Sequence, residues 1–163
     1  MSGSQLEVEY EGMADRHELY AKYGIAAEAA QLFETELGTL LLCLRALDEG
    51  WHIVPDGEAA TQVLASIDRS TLGRLLHDLR RHITIEGELE EGFLSALEAR
   101  NRLMHGFFER HNFRIQTEEG RRVMTLDLDR LHGECFAAWR VADKLTTIIA
   151  KIVRHGAENR PPA

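Results

Sequence analysis

The strongest constraint on the fold is an unbroken alternation of four- and three-residue steps near the C-terminus. Met124, Leu128, Leu131, Cys135, Ala138, Ala142, Leu145, Ile149 and Ile152 follow it throughout. Only an α-helix places residues at that spacing on a single stripe. Thr117, followed by Glu118 and Glu119, suits the start of this helix, because acidic side chains complement the positive end of the helix dipole. A competing hairpin, pairing 113–117 with 121–126 around Glu118-Glu119-Gly120, is less favoured, because the four-three spacing already includes Met124 and Leu128.

The rest of the chain reads in the same way. Residues 1–12 are polar and expected to be loosely ordered, and a short helix fits about Met13 to Gly24. A stronger helix covers about Ala26 to Glu49, with Phe33, Leu37, Leu40, Leu44 and Leu47 on one stripe. Gly50 ends it and Pro55-Asp56-Gly57 turns the chain. A short helix is expected from Glu58 to Ile67. Another is expected from about Thr71 to Ile83, capped by Ser70 and buried through Leu72, Leu75, Leu76, Leu79 and Ile83. After a break at Glu86-Gly87, a helix runs from Glu88 to His111, with Phe93, Leu97, Met104 and Phe107 or Phe108 as its apolar face. Residues 156–163, with their proline pair, are expected to be disordered. The expectation is an all-α protein: an antiparallel four-helix-type bundle with additional short helices, forming one domain over 13–155.

Composition narrows the class of partner. The 163 residues suffice for one domain, and the longest apolar run, Leu40 to Leu44, is far too short to span a bilayer. With no basic-then-apolar leader at the N-terminus, a cytoplasmic protein without membrane association is expected. Cys43 and Cys135 lie inside apolar helical patterns and read as reduced, buried thiols rather than a metal or redox pair. The net charge of −8 argues against nucleic acid, but its distribution does not: residues 1–60 carry −9 and residues 61–163 carry +1. Between Arg100 and Arg114, four arginines and two histidines face Glu109 alone. That segment can attract an anion, unless its arginines pair with the acidic N-terminal helices.

The helix from Glu88 to His111 stands apart from the others. Arg100 occupies a gap in its apolar stripe, where an arginine needs an anion or a carboxylate. Asn101 and His105 are four residues apart and share a face. Arg100 and His105 are about 140° apart around the axis, so the expectation is that a second copy of the helix is needed to bring such groups together. Gly106 would let a neighbouring backbone come close.

The segment Ala96-Leu-Glu-Ala-Arg-Asn-Arg-Leu-Met-His-Gly-Phe-Phe108 resembles the HEPN superfamily, which carries a loose Arg-x(4–6)-His motif, often Arg-Asn-x-x-x-His, near the end of a long helix in an α-helical bundle. Arg100, Asn101 and His105 match it, and the detailed match covers about fifteen residues. The resemblance implies a homodimer through the Glu88–His111 helix that cleaves RNA without metal or cofactor, as toxin and phage-defence members do. A 2′,3′-cyclic phosphate is the implied product, and an antitoxin protein is a possible partner. In that reading His105 does acid–base work, Arg100 holds the scissile phosphate, and Asn101 supports them. Arg102, Arg110, His111 and Arg114 extend the RNA-binding surface. The alternatives are a non-catalytic RNA-binding or regulatory module of the same fold, and a bundle in which Arg100 merely bridges to a carboxylate. Weaker candidates are His77 and His82 beside Arg80 and Arg81, an i, i+4 pair of Glu98 with Arg102, and Asp129-x-x-His132, which lacks the second copy that a di-metal bundle requires.

Overall fold

The heptad-like spacing of the C-terminal helix has a counterpart in the N-terminal one, and the two form the spine of the molecule. The structure, a computed structural model, describes the backbone of residues 3–158 and the side chains of 15–158. Five α-helices follow in order: α1 (Gly3–Asp48), α2 (Gly57–Asp68), α3 (Leu72–Leu79), α4 (Glu88–His111) and α5 (Glu118–Glu158), with a 3-10 turn at Asn112–Gln116 between the last two. No strand occurs among the described residues.

Where two helices are expected between Met13 and Glu49, α1 is continuous from Gly3. Gly24 does not break it. A glycine inside a helix costs only about 1 kcal/mol, and the buried positions Leu19, Ala26, Ala30, Phe33, Leu37, Leu40 and Leu44 carry one stripe through it. That stripe lies against Met124, Leu128, Leu131, Cys135, Ala138 and Ala142 of α5, all buried. Two ion pairs fix the direction: Asp15–Arg121 at 3.2 Å and Lys22–Asp129 at 2.8 Å. Helices α1 and α5 therefore run parallel, and α4 runs antiparallel to both, placing Arg100 beside Glu34 and Ala96 beside Cys135. The stripe of α5 outlasts the bundle, for Ile152 is half-exposed.

The helix ends follow local chemistry. Gly50 and Gly87 have positive φ, at 69° and 59°, a region open to glycine. The Asp56 carboxylate accepts from the Ala59 amide at 2.9 Å and starts α2. The cap of α3 is Thr71 rather than Ser70: its hydroxyl accepts from the Arg74 amide at 3.3 Å, while the Ser70 hydroxyl donates back to the Ser66 carbonyl. Helix α3 stops at Leu79, so Ile83 packs on the core from the loop beyond it. Thr117 caps α5, accepting from the Gly120 amide at 3.0 Å, which settles 113–126 as a 3-10 turn and then helix rather than a hairpin.

Gly120 is buried, and a Cβ there would lie 2.0 Å from the Arg114 carbonyl oxygen. This close backbone approach lies within the chain; among the described residues nothing comes within 4 Å of a Cβ on Gly106, whose expected neighbour is a second copy. The final turn of α5 reaches Glu158 into the segment expected to be a tail, and residues 159–163 lie outside the described residues, as do 1 and 2. No described helix is long and apolar enough to cross a membrane.

Candidate functional site

Helix α4 is held by one face. Phe93, Ala96, Ala99, Leu103 and Phe107 are buried, so the stripe is narrower than expected: Leu97 and Met104 are only partly covered. Ala96 and Ala99 leave room for α4 to close on its neighbours. The opposite side carries Leu94, Asn101, His105 and Glu98, all exposed. Asn112, at φ 48°, ends the helix just past the motif.

Arg100 sits on the shoulder between these faces, with its side chain 21% exposed. Its guanidinium lies between Glu34 of α1 and the exposed Asn101 and His105. Nη1 donates to Asn101 Oδ1 at 3.3 Å and lies 3.3 Å from His105 Nε2. The expectation that one helix cannot bring Arg100 and His105 together is therefore corrected. The 140° separation applies to their Cα positions, and the long arginine side chain spans it within a single chain. A guanidinium N–H can donate to Nε2 only when that nitrogen carries no proton, so the contact fits the neutral imidazole.

On its inner side, Nη2 reaches Glu34 Oε2 of α1 at 3.4 Å. Charge-assisted pairs normally close to about 2.7–2.9 Å, so Glu34 holds the guanidinium loosely. The buried Nε has no hydrogen-bond partner. Arg100 thus has a carboxylate neighbour without being locked into a closed core.

The other basic residues divide sharply. Asp127 of α5 gathers Arg102 Nη2 and His111 Nε2, each at 2.8 Å, and Arg130 Nη2 at 3.1 Å. Arg102 therefore pairs with Asp127 rather than with Glu98. His111 is 4% exposed, packs on the Phe107 ring with centroids 4.7 Å apart, and has Arg114 Nη1 3.2 Å from its Nδ1. Burial raises the Asp127 pKa, but the bonds from His111 and Arg130 and the charge of Arg102 outweigh it and leave the carboxyl below its ordinary value. This network ties the C-terminal end of α4 to α5. Of the basic residues grouped with the motif, Arg110 and Arg114 are exposed, Arg102 and His111 hold Asp127, and Arg114 adjoins that network only through His111.

His82 pairs with Asp48 and Arg80 with Glu90, while His77 and Arg81 are exposed. Asp129 pairs with Lys22, and His132 stacks on Phe136 at 5.5 Å. No group of three or more ligating side chains suited to a metal ion occurs among the described residues. Both cysteines are free. Cys135 is buried, its thiol pushed up to about 11 by desolvation and by Glu134, and Cys43 is half-buried and also raised.

Three neighbours of the motif were not legible in the sequence. Glu34, Asp127 and Tyr23 all come from other helices, and Tyr23 donates its hydroxyl to the Leu103 carbonyl at 2.9 Å, pinning α1 to α4 two residues from His105. The acidity of the N-terminal third and the arginine excess of 100–114 signalled an acid such as Glu34 in advance; neither pointed to Asp127. An apolar groove of about 670 Å³ lies between the N-terminal half of α4 and α5, floored by Gly92, Ser95, Gly133 and Ala138; it includes none of the motif residues. No family model matches the chain, and no characterised protein or solved structure matches it.

Proposed function

We propose that the protein is a metal-independent endoribonuclease of HEPN type, of the toxin or phage-defence class, acting in the cytoplasm as a homodimer through α4. The observation that carries this reading is the cluster at Arg100. A loosely paired guanidinium stands 3.3 Å from an exposed imidazole and from the amide of Asn101. A phosphate diester needs that set: a planar cation for its oxygens and a neutral base beside it.

In this mechanism Arg100 Nη1 turns from His105 Nε2 to the phosphate, and the freed Nε2 takes the proton of the ribose 2′-hydroxyl. The 2′-oxygen attacks phosphorus, Arg100 stabilises the charge that develops on the phosphoryl oxygens, and the bond to the 5′-oxygen breaks. The leaving oxygen collects a proton from water or from the second imidazole of the dimer. The products are a 2′,3′-cyclic phosphate and a 5′-hydroxyl. Asn101 orients the phosphate or the ring. Exposed Leu94, in line with Asn101 on the outer side of α4, supports self-association there. Arg110 adds positive charge near the end of the helix, and an antitoxin protein is the natural binding partner of such an enzyme.

The test is cleavage of single-stranded RNA and tRNA in EDTA by wild type, His105→Ala and Arg100→Ala. Cyclic-phosphate ends from the wild type alone support the reading. An intact RNA set, or mutants as active as wild type, overturns it.

A second reading has an observation of its own. Glu34 already neighbours Arg100, and Asp127 engages Arg102 and His111, which leaves less positive charge for RNA than the sequence suggests. A non-catalytic RNA-binding or regulatory module of the same fold would keep saturable binding and yield no cyclic phosphate.

A further inference from the structure

Beside the Arg100–His105 pair, α1 and α4 expose aromatic surface that the core does not use. On α1, Arg16, Tyr20, Tyr23 and Ala27 are spaced four, three and four, forming a stripe along the α4 junction. Tyr20 is 52% exposed and Phe108 of α4 is 39% exposed. The Phe108 ring lies 6.2 Å from Tyr20 and 5.1 Å from Tyr23, tilted by about 45° to each. The hydroxyl bond of Tyr23 to Leu103 fixes the back of this wall. Tyr20 and Phe108 leave apolar ring surface in water.

We propose that Tyr20, Tyr23 and Phe108 form a stacking surface for an unpaired nucleobase of a single-stranded RNA whose phosphate lies at Arg100. This rests on the RNA-binding reading above and adds the part of the substrate that the surface recognises. Phe108 is three residues beyond His105 on the helix, about 4.5 Å further along the axis and about 12 Å beyond Arg100. A strand held by its phosphate at Arg100 brings a neighbouring base over these rings. Charge agrees with that occupant: exposed Arg16 and His17 precede Tyr20 by one turn, and Arg100 and His105 lie on the far side. Among the described residues, Glu109 adjoins Phe108, Glu18 lies two residues from Tyr20, and Glu34 stands at the Arg100 end. Aromatic faces flanked by cations bind single strands with little dependence on sequence, since every base has a π-face.

The experiment measures binding of a short single-stranded RNA and of an abasic ribose-phosphate chain of equal length. It uses the full chain carrying His105→Ala, so that cleavage during the measurement is suppressed. Adding Tyr20→Ala or Phe108→Ala weakens binding of the base-bearing RNA by about 5- to 100-fold, leaves the abasic chain unchanged, and Phe108→Tyr restores affinity. Tyr20 is more than half exposed, so its variant keeps the question answerable should Phe108→Ala fail to fold. Unchanged RNA binding, or equal loss on both probes, overturns the stacking surface. A shift in sedimentation mass with RNA affinity intact also overturns it and makes the patch a contact between copies. A base-dependent loss in a protein that makes no cyclic phosphate sustains the stacking surface while the ribonuclease reading fails. No RNA binding by the parent chain ends both.

Discussion

Arg100 Nη1 and His105 Nε2 stand 3.3 Å apart although their backbone positions diverge by about 140° around α4. The guanidinium crosses that angle along the α1–α4 junction, between Glu34 on one side and Asn101 on the other. One chain therefore assembles the cation–imidazole pair, and dimerisation is no longer needed to create it. In the proposed enzyme the second copy supplies a second pair across the dyad.

Replacing His105 by Ala removes the proposed base, and cleavage falls about 10²- to 10⁴-fold. Arg100→Lys keeps the charge but cannot meet Asn101, His105 and Glu34 with one planar fork. Its cleavage falls toward that of Arg100→Ala although the net charge is unchanged. Single-turnover rates of the three variants decide this, and a fully active lysine variant contradicts the role given to the guanidinium.

In the proposed enzyme Glu34 competes with the RNA phosphate for Arg100. Glu34→Gln removes a negative charge on the order of one side chain's length from the site, worth about 1 kcal/mol, or roughly fivefold tighter RNA binding. The ratio of dissociation constants at low salt measures it. Weaker binding in the glutamine variant would mean that Glu34 mainly positions Arg100.

Asp127 organises the end of the motif helix, and its pKa is lowered on folding. The sign follows from linkage: a depressed carboxylate stabilises the fold fully above its unfolded value of about 3.9, and that stability is lost as pH falls through the folded value. Asp127→Ala leaves partly buried Arg102 and His111 without their acceptor and costs about 2–4 kcal/mol near neutral pH. Urea unfolding from pH 7 down to pH 2 should show the gap between wild type and variant closing at the acid end.

Two glycines give opposite results. Gly120→Ala drives a Cβ into the Arg114 carbonyl and costs at least about 1–3 kcal/mol. Gly106→Ala meets open space inside a helix and stabilises by about 0.5–1 kcal/mol. Thermal unfolding of the pair separates them. A neutral Gly120→Ala would mean that the 3-10 turn is displaced.

Thiol labelling distinguishes the cysteines. Cys135 is buried, with its thiol pushed up to about 11, so it stays unlabelled near neutral pH until the bundle opens. Cys43, half-buried, reacts earlier. Equal rates in the native protein would contradict the packing of α5 against α4.

The sequence alone determined what depends on local periodicity and capping. The stripe from Met124 to Ala142 predicted α5, Thr117 its start, and Gly50 and Gly87 the breaks, because those signals act within a turn or two of chain. The span of α4 was legible for the same reason. Local reading divided α1 at Gly24, since a glycine looks like a boundary until the buried stripe running through it is seen. The tertiary structure alone decided that α1 and α5 run parallel, that Glu34 stands beside Arg100, and that Asp127 holds Arg102 and His111. Those partners lie 66, 25 and 16 residues away in the chain. No spacing rule reaches so far, and the reach of a guanidinium past the 140° of its helix is likewise set by the walls it packs against.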